Sequence, residues 1–313
     1  MTGVQTCALP ISKDFIAEMP DYIHTAEKLT QPDGEIYSLP WESRVTVMWY
    51  RNDIYDSAPT SLDDLLKKGS AATQDLALGF ALGLGEGSNA TGLMETFIPL
   101  IRSAGGDLLD ENGKAVFNSD AGVKVVEYIK SLVDQGSMDQ TTMSMTYDDI
   151  VDAFKGGTVL GMNAGTQRAA TIMTSDLADK FSSAPIPGFE DGEPAPAFVA
   201  GQTLAIGKYA QDPEMAFDFI KSFYTVENQK KWVGANCLPV RTDVYEDAEI
   251  QAMDTYEDMQ MWSEYATTGT MVFFPEDYSE LSVRLAQAVQ TVVFQGADAK
   301  TALDEAANWY NSK

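Results

Sequence analysis

Histidine, cysteine and basic side chains are scarce in this chain of 313 residues. There is one histidine, His24, and there are two cysteines, Cys7 and Cys237. A His/Cys metal site draws three or four ligands from these types, so the composition excludes one, and no cofactor is expected. A Ser-His-Asp or Cys-His constellation would have to use His24. That residue lies in a polar stretch with Asp21 and Glu27 and reads as an exposed helix position. Bases number 21 against 47 acids, a net charge of -26. Such a surface repels phosphate backbones, which excludes nucleic acid as a partner, and it weighs against an anionic ligand unless a local arginine overrides it. No apolar run approaches the roughly 20 residues needed to cross a bilayer. Candidates such as Val289–Phe294 are short and sit in amphipathic patterns. Phosphate-loop signatures are missing too: Gly83-Leu84-Gly85-Glu86-Gly87 does not complete G-x-G-x-x-G, and there is no G-x-x-x-x-G-K-[ST].

What is present fits a secreted-type globular chain long enough for two lobes. Met1–Ser12 reads MTGVQTCALPIS, which resembles the translation of a sequencing-library adapter, and it is set aside from fold reasoning. On that reading Cys7 is not native, and the true start, with any signal peptide or lipid-anchor cysteine, is missing. Strands are predicted over Glu35–Pro40, Val45–Tyr50, Leu76–Leu84, Thr158–Met162 and Phe198–Ile206, the last broken at Gly201. Helices are predicted from Pro59-Thr60-Ser61-Leu62-Asp63 (Thr60 as cap), and over Leu93–Ala104, Val123–Asp134, Tyr278–Phe294 and Asp298–Tyr310. Two more start at a Thr146/Asp149 capping box and at Asp212-Pro213. Gly85–Gly92 and Pro185–Pro196 read as loops. Alternating strands and helices predict an α/β fold with helices on mixed sheets.

Several segments, in order, resemble family 1 extracellular solute-binding proteins of bacterial ABC importers, the group with maltose- and trehalose-binding proteins. Asp33-Gly34-Glu35-Ile36-Tyr37-Ser38-Leu39-Pro40, running on to Trp49-Tyr50-Arg51-Asn52-Asp53, looks like the family's dG-x-xY-x-lP…l-x-YNkdl. Pro59-Thr60-Ser61-Leu62-Asp63-Asp64-Leu65 is similar to P-x-TwdEl. Ser103-Ala104-Gly105-Gly106, Ala153–Met162, Ala200–Ile206 with Glu214–Ile220, and Leu238-Pro239-Val240-Arg241 complete the set.

The resemblance implies a two-lobed, type II periplasmic-binding-protein-like fold. Lobe 1 would comprise 13–43 plus 204–247 and would be incomplete; lobe 2 would comprise 44–203 plus 248–313. It implies a monomer outside the cytoplasm, periplasmic or lipid-anchored, that binds a mono- or disaccharide or polyol in an interlobe cleft, hands it to membrane permease subunits and catalyses nothing. Sugars need planar polar side chains for hydroxyls and aromatic faces for ring C–H surfaces. The candidate ligand residues are Trp41 and Arg44 at the first crossover, Asn163, Gln167 and Arg168 after the strand at Thr158–Met162, Gly201 and Gln202 at the second crossover, and Glu95, Arg241 and Tyr278. Each has a plain structural alternative: a packed Trp41, an Arg44–Glu42 pair, a hinge glycine at Gly201, a solvated Glu95. Trp49, Trp232 and Trp309 read as core. Gln167 stands near where the family often has a stacking Trp, which permits a polar contact there and no stacking. A carbohydrate-active enzyme with paired carboxylates, or an importer component for a polyamine, peptide or glycerophosphodiester, are the alternatives. With 47 acids a carboxylate pair can always be found, so composition cannot support the enzyme.

Overall fold

In the computed structural model, residues 8–19, 22–23, 29–31, 33–74, 76–234, 237–271 and 277–313 are described. His24 and Cys7 lie outside them. The strands are β1 (Ala8–Leu9), β2 (Ser38–Pro40), β3 (Arg44–Arg51), β4 (Gly161–Gly165), β5 (Phe181–Ala184), β6 (Phe198–Ala200), β7 (Thr203–Gly207) and β8 (Thr270–Met271). The helices are α1 (Lys13–Ala17), α2 (Leu62–Ala72), α3 (Gly87–Ser103), α4 (Asp120–Asp134), α5 (Tyr147–Lys155), α6 (Ala169–Ile172), α7 (Pro213–Ser222), α8 (Val226–Val233), α9 (Ala248–Gln251), α10 (Tyr256–Ala266), α11 (Tyr278–Gln295) and α12 (Ala299–Asn311). The chain divides into two compact units, the first from Met1–Val45, Val199–Ala266 and Met271–Glu276, the second from Thr46–Phe198, Thr267–Thr270 and Asp277–Lys313. Residues 248–266, joined above to the second lobe, belong to the first unit, as do residues 199–203.

In the first unit β7 is the central strand of three, with antiparallel β1 and β2 on either side. Ile36, Leu39 and Ile206 point from this sheet into a core shared with Ile16, Ile220, Tyr224 and Val240. Phe15 meets Phe217 and Tyr224 edge-on, the favoured geometry for aromatic quadrupoles. Tyr22 and Tyr224 donate their hydroxyls to the Pro40 and Leu39 carbonyls, each at 2.8 Å, so both phenols are buried and satisfied. The end of the segment set aside as adapter-like takes part: Ala8 and Leu9 pair with Gly207 and Ile206, the Ile11 amide donates to Ile36, and Ser12 caps α1. Its apolar residues suit the edge of β7, which is why it cannot be left out of the fold.

In the second unit β3 pairs antiparallel with β4 on one side and β5 on the other. Val47, Met48, Trp49 and Met162 are fully buried there. Helices α3, α4, α11 and α12 pack on one another, and Gly296 ends α11 in the left-handed conformation that favours glycine at a helix C-terminus. The Thr146/Asp149 capping box forms as expected, and Tyr147, Ile150, Val151 and Phe154 bury one stripe of α5.

Four local expectations change. Leu76–Leu84 forms no ladder strand: Leu76 is 88% exposed, and Gly79 presses so close to the Gly69 carbonyl that a Cβ would lie 1.7 Å from it. Its amides donate instead to Thr158, Ser137 and Gly161 carbonyls. The strand expected at Thr158–Met162 runs over Gly161–Gly165, because the Thr158 and Val159 amides close the end of α5 by donating to Ala153. Helix α2 is capped by Ser61, whose hydroxyl accepts from the Asp64 amide, while Thr60 donates to Asp191. Within Gly85–Gly92, where a loop was expected, the first turn of α3 is left-handed at Ser88, Asn89 and Ala90 (φ 54°, 57° and 52°) before the right-handed helix begins.

Candidate functional site

The candidates fall five to each unit. In the first, Trp41 and Arg44 flank Glu42, which is completely buried. A buried carboxylate must be charge-paired and hydrogen-bonded, and both conditions hold. Arg44 lies 2.9 Å from it, and the Gln202 amide donates to its Oε1 at 2.7 Å. Arg44 keeps 27% side-chain exposure. Gly201 is small for a protein reason: a Cβ there would stand 2.3 Å from the Glu42 carbonyl oxygen. Trp41 packs half-buried against Trp232 (centroids 4.5 Å apart) and Phe223 (5.6 Å). Gln229 holds its carbonyl at 2.9 Å. Trp232 stacks parallel on Phe223. Arg241 forks onto Asp243 at 3.0 and 2.5 Å and reaches the Tyr224 carbonyl. The Cys237 thiol is buried beside Glu42 and Arg44; burial, reinforced by the Glu42 charge, pushes it up to about 11.

In the second unit the side chains of one face converge. Side chains alternate along a strand. Thr46 lies opposite Gly165 and Met48 opposite Asn163, which puts Thr46 and Asn163 on the same face. Helix α3 supplies the partners: Thr46 donates to Glu95 at 3.1 Å and Asn163 Nδ2 donates to Thr96 at 3.1 Å. Tyr147, the first residue of α5, accepts the Gly165 amide on its hydroxyl at 2.8 Å. Glu95 is 8% exposed and Asn163 6%. The Oδ1 of Asn163 and the Oε1 of Gln167 are buried with no hydrogen-bond donor. Such orphaned acceptors are uncommon enough in folded proteins to need a cause. Arg168 pairs with Asp148 and lies over the Tyr147 ring, 4.9 Å from its centroid; its Nε has no acceptor. Burial, then the Glu95 charge, pushes the Tyr147 and Tyr278 phenols well above their ordinary range, so both stay neutral.

Two placements differ from expectation. Asn163 lies within β4 and buries its side chain, where a position after the strand was expected. Glu95 is a buried, hydrogen-bonded carboxylate and not a solvated helix charge. Trp49 is core, donating to the Ala164 carbonyl at 3.1 Å, whereas Trp309 lies half-buried under Arg284 and Lys313. Tyr147 and Thr46 were missed. The sign of Thr46 was a single hydroxyl inside a β-branched and aromatic run; Tyr147 was a phenol on an otherwise oil-like stripe. Among the described residues no group of three His, Cys, Asp or Glu side chains is placed to hold a metal ion, and no helix is long and apolar enough to cross a membrane.

The profile of the family described as bacterial extracellular solute-binding protein matches residues 4–260. An arabinooligosaccharide-binding protein of Bacillus subtilis strain 168 is 24% identical over 266 residues, covering 80% of this chain and 58% of the relative. The maltodextrin-binding protein MdxE of the same organism is 22% identical over 290 residues, covering 88% and 65%. The chain thus spans about three fifths of the length of these curated relatives. Among solved structures, maltose-bound MalE3 of T. maritima superposes with TM-score 0.82 at 21% identity, covering 98% of this chain and 81% of that one. A ribitol complex from Agrobacterium radiobacter K84 gives 0.77 at 20%, covering 96% and 76%. These likenesses establish the fold.

Proposed function

Because the chain belongs to the bacterial extracellular solute-binding protein family, we propose that it is the extracytoplasmic binding component of an ABC importer, taking a mono- or disaccharide or a related polyol and releasing it unchanged. The observation that carries this reading is the buried polar cluster of Thr46, Glu95, Tyr147, Asn163 and Gln167. It offers hydrogen-bonding groups in an apolar setting with acceptors still to be met, as a hydroxyl-rich guest requires. The relatives bind arabinooligosaccharide and maltodextrin, and similar folds hold maltose and ribitol. On the first unit, Trp41 carries a half-buried aromatic face and Arg44 a part-exposed polar edge, the residue types a sugar requires. Arg241, held by Asp243, and Gly201, held against Glu42, act within the first unit. We propose that the protein acts as a monomer, partnered by membrane permease subunits, in the periplasm or lipid-anchored at the cell surface.

The test is a thermal-shift and calorimetric screen against pentoses, hexoses, their disaccharides and polyols, with chromatography of the recovered ligand. A binder raises the unfolding midpoint because it engages the folded state alone. A panel that shifts nothing, or a ligand recovered chemically altered, overturns the proposal.

A further inference from the structure

We infer that Glu95, with Asn163 and Gln167, makes the polar wall of the second unit an acceptor surface that selects neutral or amino-bearing ligands and rejects sugar acids. This rests on the binding role proposed above and names its specificity.

The inventory of the wall decides the matter. Glu95 is an acceptor-only group while ionised, and Thr46 donates to its Oε2. The Asn163 and Gln167 side-chain oxygens are buried and unmet. A ligand that satisfies them must bring donors. A hydroxyl donates and accepts, and an ammonium donates only; a carboxylate or phosphate brings lone pairs and a negative charge. Beside Glu95 that charge meets a like charge in a low-dielectric setting, and neither amide oxygen gains a partner. The nearby cation, Arg168, adds one unmet donor at its Nε, but its charge is already matched by Asp148, so a carboxylate still meets the Glu95 charge and leaves both amide oxygens unmet. The Tyr147 oxygen accepts the Gly165 amide, so it too acts as an acceptor on this wall. The unmet Arg168 Nε donor beside the unmet Asn163 and Gln167 acceptors fits the mixed character of a hydroxyl.

The experiment uses the full chain and matched pairs of probes: glucose with glucuronate and glucosamine, galactose with galacturonate, and xylitol with xylonate. Calorimetry is expected to show each acid binding about tenfold or more weakly than its neutral parent, since like-charge contact disfavours it. Glu95→Gln keeps the shape and removes the charge, and is expected to narrow that ratio by about tenfold. Should that variant lose its fold, Asn163→Asp adds a carboxylate to the same wall and is expected to widen the ratio. A wild-type ratio near one, or a ratio unmoved by either folded variant, overturns the inference while leaving the binding role intact. If no neutral probe binds, the binding role falls and the inference falls with it.

Discussion

A single carboxylate organises each half of the candidate chemistry. Glu42 holds Arg44 and the Gln202 amide together, and both depend on it. Replacing Glu42 with Ala strands a guanidinium and a backbone donor, so urea unfolding is expected to show a loss of about 3 kcal/mol. Cys237 provides a chemical check on the same neighbourhood. With its thiol at about 11, it is expected to resist alkylation at pH 7.5 in the folded protein and to react promptly in denaturant, as mass spectrometry can show. Rapid labelling of the folded chain would contradict the burial described. At this scale Glu95, Asn163 and Gln167 were candidates in the sequence, while Tyr147, which the structure places against the same strand, was not. A residue's type and spacing suggest its chemistry. Which strand face it joins depends on register, which type and spacing leave open; the strand expected at Thr158–Met162 itself begins three residues later, at Gly161.

Elements were easier to read where the signal is local. The α5 capping box needs only Thr146, Asp149 and the backbone between them. Removing it with Thr146→Ala is expected to cost about 1 kcal/mol in urea titration, and an unchanged midpoint would show the box to contribute nothing. The helices α4, α7, α11 and α12 also announce themselves, through apolar periodicity and the start signals Asp212-Pro213 and Asp298. The segment 76–84 did not, because its backbone makes isolated bridges only, such as the parallel one from Leu78 to Val159, and its other amides donate to scattered carbonyls. Gly201 was read as close to the ligand, or as a hinge; the structure presses it against the Glu42 carbonyl. Gly201→Ala is therefore expected to destabilise by about 1–3 kcal/mol through overpacking, seen as a lowered thermal midpoint.

The whole molecule carries a charge of -26, and its fold is held against that repulsion. Raising the salt from about 20 mM to about 500 mM shortens the screening length from roughly 20 Å to roughly 4 Å. The thermal midpoint is expected to rise, because the exposed ion pairs that salt weakens contribute little. A falling midpoint would show those pairs to dominate. Acid acts differently. Hydrogen bonds from the Thr146 amide and hydroxyl hold Asp149 below the usual carboxylate range, and Lys230 does the same for Asp247. Groups so depressed stabilise the fold above the ordinary Asp pKa and lose that contribution as pH falls through their folded values. The loss is expected to begin below about pH 4, near the ordinary value, in a series of melts from pH 7 downward. Solvent-facing charge of this kind is visible in composition alone, whereas the assignment of residues 248–266 to the first unit depends on packing that no linear pattern displays.

The pairing of β2 with β7 joins Pro40 to Thr203. During synthesis the first strand of that ladder leaves the ribosome long before its partner, and the intervening stretch supplies most of the other unit. The first unit therefore cannot close its sheet until Thr203–Gly207 has left the ribosome. Its early apolar residues, Ile36 and Leu39 among them, must wait unsatisfied in the nascent chain, a window in which holding chaperones would find a substrate.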